Sequence, residues 1–175
     1  MAPRGFYSSM ARRRSEFEAF YAEHFARVCR SLTVALGDRL LAEEPVQEAF
    51  IRAYVYWRRV AKMERPVGWV HVVAMRVALK RRPAAPLSLA APVATALAET
   101  VVDRESLRAA IAQLPERQRI AIVLRYLADL PLADVARAMG CAVGTVKSTL
   151  FSALARLHVE LDEVADLEEV QPDAR

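Results

Sequence analysis

The chain has 175 residues, is 54% hydrophobic and carries 25 Lys+Arg against 21 Asp+Glu, enough to bury one or two small cores. No apolar run approaches the roughly 20 residues of a membrane span, so membrane insertion is not expected. The start MAPRGFYSSMARRRSE is basic but has no apolar segment behind it, which argues against a secretory signal. Charge is uneven: residues 1–83 hold 16 Lys+Arg against 8 Asp+Glu, and residues 161–175 hold 1 against 6. A basic front suits a polyanionic partner. Cys29 and Cys141 have no CxxC or histidine company and read as small buried residues of a reducing cytosol. His24, His71 and His158 form no ligand spacing, so no metal site is expected.

Residues 1–15 read as a disordered basic arm. From Glu16 to about Gly37, Phe17, Phe20, Tyr21, Phe25, Val28 and Leu32 step by three and four, which predicts a helix with an aromatic core stripe. A second helix is predicted from Leu41 to about Val60, burying Val46, Ala49, Phe50, Ala53, Tyr54 and Trp57. Its early turns carry Glu43, Glu44, Gln47 and Glu48. These complement the positive end of the helix dipole or form an acidic docking face; spacing leaves both open. Its last turns switch to Arg52, Arg58, Arg59 and Lys62, interleaved with Tyr54, Tyr56 and Trp57. Aromatics beside cations suit single-stranded bases, although Trp57 also fits the core stripe. After the loop AKMER, Pro66 fits the first position of a third helix, running to about Arg82. Pro83, Pro86 and Pro92 then break helix in a nearly uncharged segment, read as an interdomain linker.

Asp103 opens a fourth helix to Gln113, and Pro115 starts a fifth with Ile120, Val123, Leu124 and Leu127 inward. Leu130 to Leu157, LPLADVARAMGCAVGTVKSTLFSALARL, follows. Leu132, Val135, Ala136 and Met139 keep helical spacing. Gly140 sits where a helix stop favours positive φ. Val146, Leu150, Ala153, Leu154 and Leu157 form a second stripe, whose other face begins Gly144, Thr145, Lys147, Ser148, Thr149. This is a helix-turn-helix pattern offering small polar and basic groups to a major groove. An αα-hairpin within an ordinary bundle has the same periodicity. From Asp162 onward the chain is acidic and expected to fray.

LPERQRIAIVLRYLADLPLADVARAMGCAVGTVKSTLFSALARL resembles domain four of the extracytoplasmic-function sigma factors of bacterial RNA polymerase, the actinobacterial sigma-E-type group most closely. AEEPVQEAFIRAYVYWRRV and RPVGWVHVVAMRVALKRR resemble their domain two. The two blocks cover about four fifths of the chain. The resemblance implies an all-α, cytoplasmic protein of two small helical domains joined by a Pro-rich linker, the second a helix-turn-helix. Expected boundaries are 1–15 for the arm, 16–83 for domain two, 84–102 for the linker, 103–160 for domain four and 161–175 for the acidic tail.

The resemblance also assigns roles. Glu44, Gln47 and Glu48 would dock on core RNA polymerase. Tyr54, Trp57, Arg58, Arg59, Lys62 and Arg65 would engage and melt the minus-ten element. Trp69, Arg76 and Lys80, on the following helix, would contact the duplex just upstream. Thr145, Lys147, Ser148, Thr149 and Ser152 would read the minus-thirty-five element, with Arg156 and Arg125 on phosphates. The linker would thread toward the polymerase cleft. Core polymerase and promoter DNA are the implied partners, an anti-sigma protein an open further one. The two DNA-reading domains are expected to be flexibly linked, so that the free chain binds promoter poorly until polymerase fixes their spacing.

Three departures from the family pattern stand out. Pro45 replaces a helix former, which would start the second helix late. Ala142 forgoes a cap worth about 1 kcal/mol. Thr149, Ser152 and Ala153 replace positions often arginine. No Gly-rich phosphate loop, base-paired nucleophile or carboxylate pair is present, so neither enzyme activity nor a cofactor is expected. The rivals are a stand-alone helix-turn-helix regulator and a protein-binding helical adaptor.

Overall fold

The computed structural model describes residues 4–81 and 103–169, with side chains over 10–81 and 106–159. All regular structure among them is helical, in the order α1 (Arg4–Leu36), α2 (Arg39–Val55), α3 (Trp57–Val60), α4 (Pro66–Arg81), α5 (Asp103–Gln113), α6 (Glu116–Ile122), a π-helical turn (Val123–Leu127), α7 (Leu132–Met139) and α8 (Val143–Glu169). The expected linker 84–102 and tail residues 170–175 lie outside the described residues.

Helix α1 runs through the segment expected as a disordered arm. Ion pairs at i, i+4 spacing, Arg12–Glu16 at 3.5 Å and Arg14–Glu18 at 2.8 Å, support the extension. Gly37 ends it with φ +73°, its N–H returning to the Thr33 carbonyl at 2.8 Å. Helix α2 starts earlier than expected, because the Asp38 carboxylate accepts from the Leu40 N–H at 2.7 Å. Pro45 therefore lies inside the helix, not at its start. Burial of Ala42, Val46, Ala49, Phe50 and Ala53 offsets the lost backbone bond. The helix expected to continue to Val60 breaks at Tyr56 and restarts as α3. At the other end, α8 continues through the stretch expected to fray.

The front half, α1–α4, closes over an aromatic cluster. Phe17 and Phe20 lie 5.3 and 4.9 Å from the Trp57 ring, and Tyr21 and Phe25 lie 5.1 and 5.5 Å from Phe50. Beneath it His71 is fully buried, its Nδ1 2.9 Å from the Val67 carbonyl. Burial is the main reason its pKa falls to about 4; Arg27 and His24 push the same way. Cys29 and Cys141 are half-buried, not buried as expected, because each lies at the margin of the apolar cluster. Burial pushes the Cys29 thiol up to about 11, which keeps it protonated and unreactive.

The back half, α5–α8, buries Ile111, Leu114, Ile120, Val123, Leu124, Val135, Val146, Leu150, Ala153 and Leu157. The two halves are not independent. Their apolar residues form one continuous cluster, α1 packs on α6, and α4 packs on α7.

Candidate nucleic-acid interface

Helix α7 ends in a left-handed turn. Gly140 takes φ 64° and ψ 38°, and both its N–H and that of Cys141 reach the Ala136 carbonyl. The turn points α8 away from α7 and frees its first turns. Val146, Leu150, Ala153 and Leu157 face inward as the spacing predicts, but Leu154 is 45% exposed. Thr145, Lys147, Ser148, Ser152 and Arg156 are exposed together, with Thr149 half-buried. The Ser148 and Thr149 hydroxyls donate to the Thr145 carbonyl at 3.0 and 2.7 Å, so in the free chain they present lone pairs outward. Lys147 is the long donor of this face.

Two further residues belong with it. Phe151 is 77% exposed, one turn after Lys147. Its outward ring carries no core function. Pro115, Glu116, Arg117 and Gln118 form a groove of about 440 Å³ with Ser148, Thr149 and Ser152, and Arg117 stands exposed on its rim. Phe151 was hidden among apolar neighbours, and Arg117 in a helix read only for its inward stripe. Arg125 is spent otherwise: its Nη1 donates to the Leu130 carbonyl at 3.0 Å, holding the turn before α7.

In the front half, the break at Tyr56 turns Arg58, Arg59 and Lys62 outward as a cationic cluster beside exposed Tyr54 and Tyr56. Trp57 does not join them. It is 6% exposed and clamped between Phe17 and Phe20, a core residue and no stacking platform. Trp69, Arg76 and Lys80 fall on one face of α4, the cations exposed and the indole half-buried. Arg65 reaches the back half, donating to the Asp129 carbonyl at 2.7 Å.

Residues 104–157 match the family model described as sigma-70, region 4. The RNA polymerase sigma-E factor of Streptomyces coelicolor is 30% identical over 159 residues, covering 83% of this chain and 86% of that protein. The extracytoplasmic-function RNA polymerase sigma factor SigL of Mycobacterium tuberculosis is 30% identical over 157 residues, covering 83% of this chain and 89% of its own. The chain belongs to the extracytoplasmic-function sigma factors. The solved structure of the Bartonella quintana sigma factor RpoE, bound to the anti-sigma factor NepR, covers 84% of this chain and 97% of that one, with TM-score 0.60 at 18% identity. That likeness speaks for the fold.

The surface expected to dock this sigma factor on polymerase differs from a bare acidic face. Arg81 Nη1 lies 2.6 Å from Glu44, and Arg81 Nη2 lies 2.5 Å from Glu48, which Arg52 also contacts. Both acids are therefore paired within the front half. Leu40, Gln47, Ile51 and Val55 instead share the outer face of α2, with Leu40 81% and Ile51 64% exposed. This apolar stripe was not singled out from sequence, because residues 40, 51 and 55 read as ordinary helix content.

No single helix among the described residues is long and apolar enough to cross a membrane. Those residues also hold no cluster of His, Cys, Asp or Glu able to bind a metal.

Proposed function

We propose that this sigma factor directs RNA polymerase to promoters through two separate DNA-reading surfaces. The outward face of α8 reads the minus-thirty-five element. Lys147 donates to base edges, and Phe151 meets a thymine methyl in the major groove. Arg117 and Arg156 hold flanking phosphates, and Thr145, Ser148, Thr149 and Ser152 keep the helix slim enough to sit deep. The cluster of Arg58, Arg59 and Lys62, with Tyr54 and Tyr56, holds the separated minus-ten strand. Trp69, Arg76 and Lys80 track the duplex just upstream. The stripe of Leu40, Gln47, Ile51 and Val55 docks on core polymerase, with Glu44 and Glu48 at its edge.

The observation that carries this division is the placement of two exposed cationic surfaces, one in each half, in a chain of this family. The protein supplies binding energy and no bond chemistry; catalysis belongs to the polymerase, and the site of action is the cytoplasm. The experiment is transcription by core polymerase on a genomic library of promoters, with and without the chain, mapping RNA 5′ ends. Discrete new start sites preceded by two shared elements are expected. Start sites identical to those of core alone, with dimeric sequence-specific binding by the free chain, would instead favour a stand-alone regulator.

A further inference from the structure

We infer that the N-terminal turns of α1 form a further strand-holding surface, which takes the phosphates of the single strand just downstream of the minus-ten element. Residues 1–15 carry four arginines, Arg4, Arg12, Arg13 and Arg14, and no acid. Helix α1 begins at Arg4, and the first ring it packs against the core, among the described side chains, is Phe17. The helix rises by about 20 Å between those two residues. From Met10 to Glu16 every residue is exposed except the half-buried Arg13.

The helical period decides which way the cations face. Phe17 and Tyr21 lie on the stripe of α1 that packs on α2 and α3. Arg13 and Arg14 fall on that stripe, within about 60° of Phe17 around the axis, whereas Arg12 falls on the far side. Phe17 lies 5.0 Å from Tyr54 and 5.3 Å from Trp57, where α2 gives way to α3. One turn earlier, Arg14 shares an open groove of about 500 Å³ with Tyr54. Tyr54 borders the cluster of Arg58, Arg59 and Lys62, so the arginines of α1 extend that cationic, aromatic surface. Existing ion pairs are a small obstacle. Arg12–Glu16 and Arg14–Glu18 are solvent-exposed, and such pairs are weak. Arg13 makes no ion pair among the described residues.

The order of contacts along α1 gives the direction, and here the inference rests on the function proposed above. Helix α4, whose Trp69, Arg76 and Lys80 are assigned to the upstream duplex, meets α1 near His24 and Arg27, whose charges act on His71. Nearer the N-terminus, Phe20 and Phe17 meet Trp57 beside the strand-holding cluster. The arginines lie beyond that point. With duplex at one end and separated strand in the middle, the overhang meets the strand as it leaves the cluster. Continuity with this surface favours DNA over an acidic patch of polymerase as the partner.

The test uses holoenzyme made with the full chain. Two fork promoters share a duplex minus-thirty-five region and a single-stranded minus-ten element. In the short fork the strand ends there; in the long fork it runs on for about ten nucleotides. Arg13→Gln/Arg14→Gln keeps good helix formers. It should bind the long fork several-fold more weakly than wild type, with a log–log salt slope shallower by about 1.4, or about 0.7 per lost single-strand contact. It should match wild type on the short fork. Arg13→Lys/Arg14→Lys should recover most of the loss, and Arg12→Gln should lose little. Equal binding of wild type and the glutamine variant on the long fork overturns the inference and leaves the overhang a solvated helix. An equal loss on both forks, or weaker affinity for core polymerase without DNA, also overturns it and makes the arginines a polymerase contact. A loss as large for Arg12→Gln, or a lysine variant no better than the glutamine one, removes the directed contact. Failure of wild type on the short fork would overturn the proposed function, and this inference with it.

Discussion

The two regions proposed to read DNA are built on opposite principles. In the helix-turn-helix, Val146, Leu150, Ala153 and Leu157 point in and Thr145, Ser148 and Ser152 point out, with Gly140 at the turn between the helices. In the front half, aromatics serve both core and surface within four positions: Tyr54 and Tyr56 are exposed and Trp57 is buried. A spacing pattern assigns faces when each residue type has one role, and fails where one type has two. Phe151 shows the same failure in reverse, an aromatic that packing leaves outside.

Exchanging the two aromatics' fates by mutation gives the largest effect. Trp57→Ala should destabilise the front half by about 3–5 kcal/mol, as for other buried aromatics, read by urea denaturation. Phe151→Ala should change stability by under about 0.5 kcal/mol while weakening promoter binding by the holoenzyme. Equal stability losses would erase the distinction between core and reading residue.

Acid sharpens the comparison, since the buried ionisable group lies in the front half alone among the groups with lowered pKa. His71 falls from 6.5 to about 4 in the folded chain, so between those values the unfolded chain binds the extra proton. Its contribution to stability is intact above about pH 6.5 and is lost progressively down to pH 4. The full loss is about 3 kcal/mol. Urea midpoints across that window should fall for wild type and fall less for His71→Leu. Parallel slopes in the two proteins would remove His71 as the cause.

A smaller effect is expected at the stripe proposed to dock on polymerase. Ile51→Asp should weaken core polymerase binding about tenfold, or about 1.4 kcal/mol, with the helical circular dichroism unchanged. Glu48→Lys is a poorer probe, because Glu48 lies between Arg52 and Arg81 and a lysine there would disturb the fold.

The helices and most of their inward stripes were legible because period and punctuation agree: Gly37 and Gly140 both take positive φ at helix ends, and Pro66 opens α4; Tyr54, Leu127 and Leu154, expected inward, are instead exposed. What stayed hidden was set by partners distant in the chain. Arg81 neutralises Glu44 and Glu48 from another helix. Arg65 and Arg119 bond to carbonyls 64 and 84 positions away. Backbone acceptors leave no mark on a charge pattern. Pro45 misled because a helix start was inferred from one unfavourable residue, whereas the cap at Asp38 and the burial around it decide the outcome.

The division between reading and melting is tested most directly by run-off transcription on matched duplex and premelted templates. The proteins compared are Lys147→Ala and the Arg58→Ala/Arg59→Ala double variant. Premelting should restore much of the activity lost by the double variant, because the strand-separation step is already complete. The Lys147→Ala defect should persist on both templates. Rescue of both proteins to the same degree, or of neither, would contradict the assignment of melting to the front half and base reading to α8.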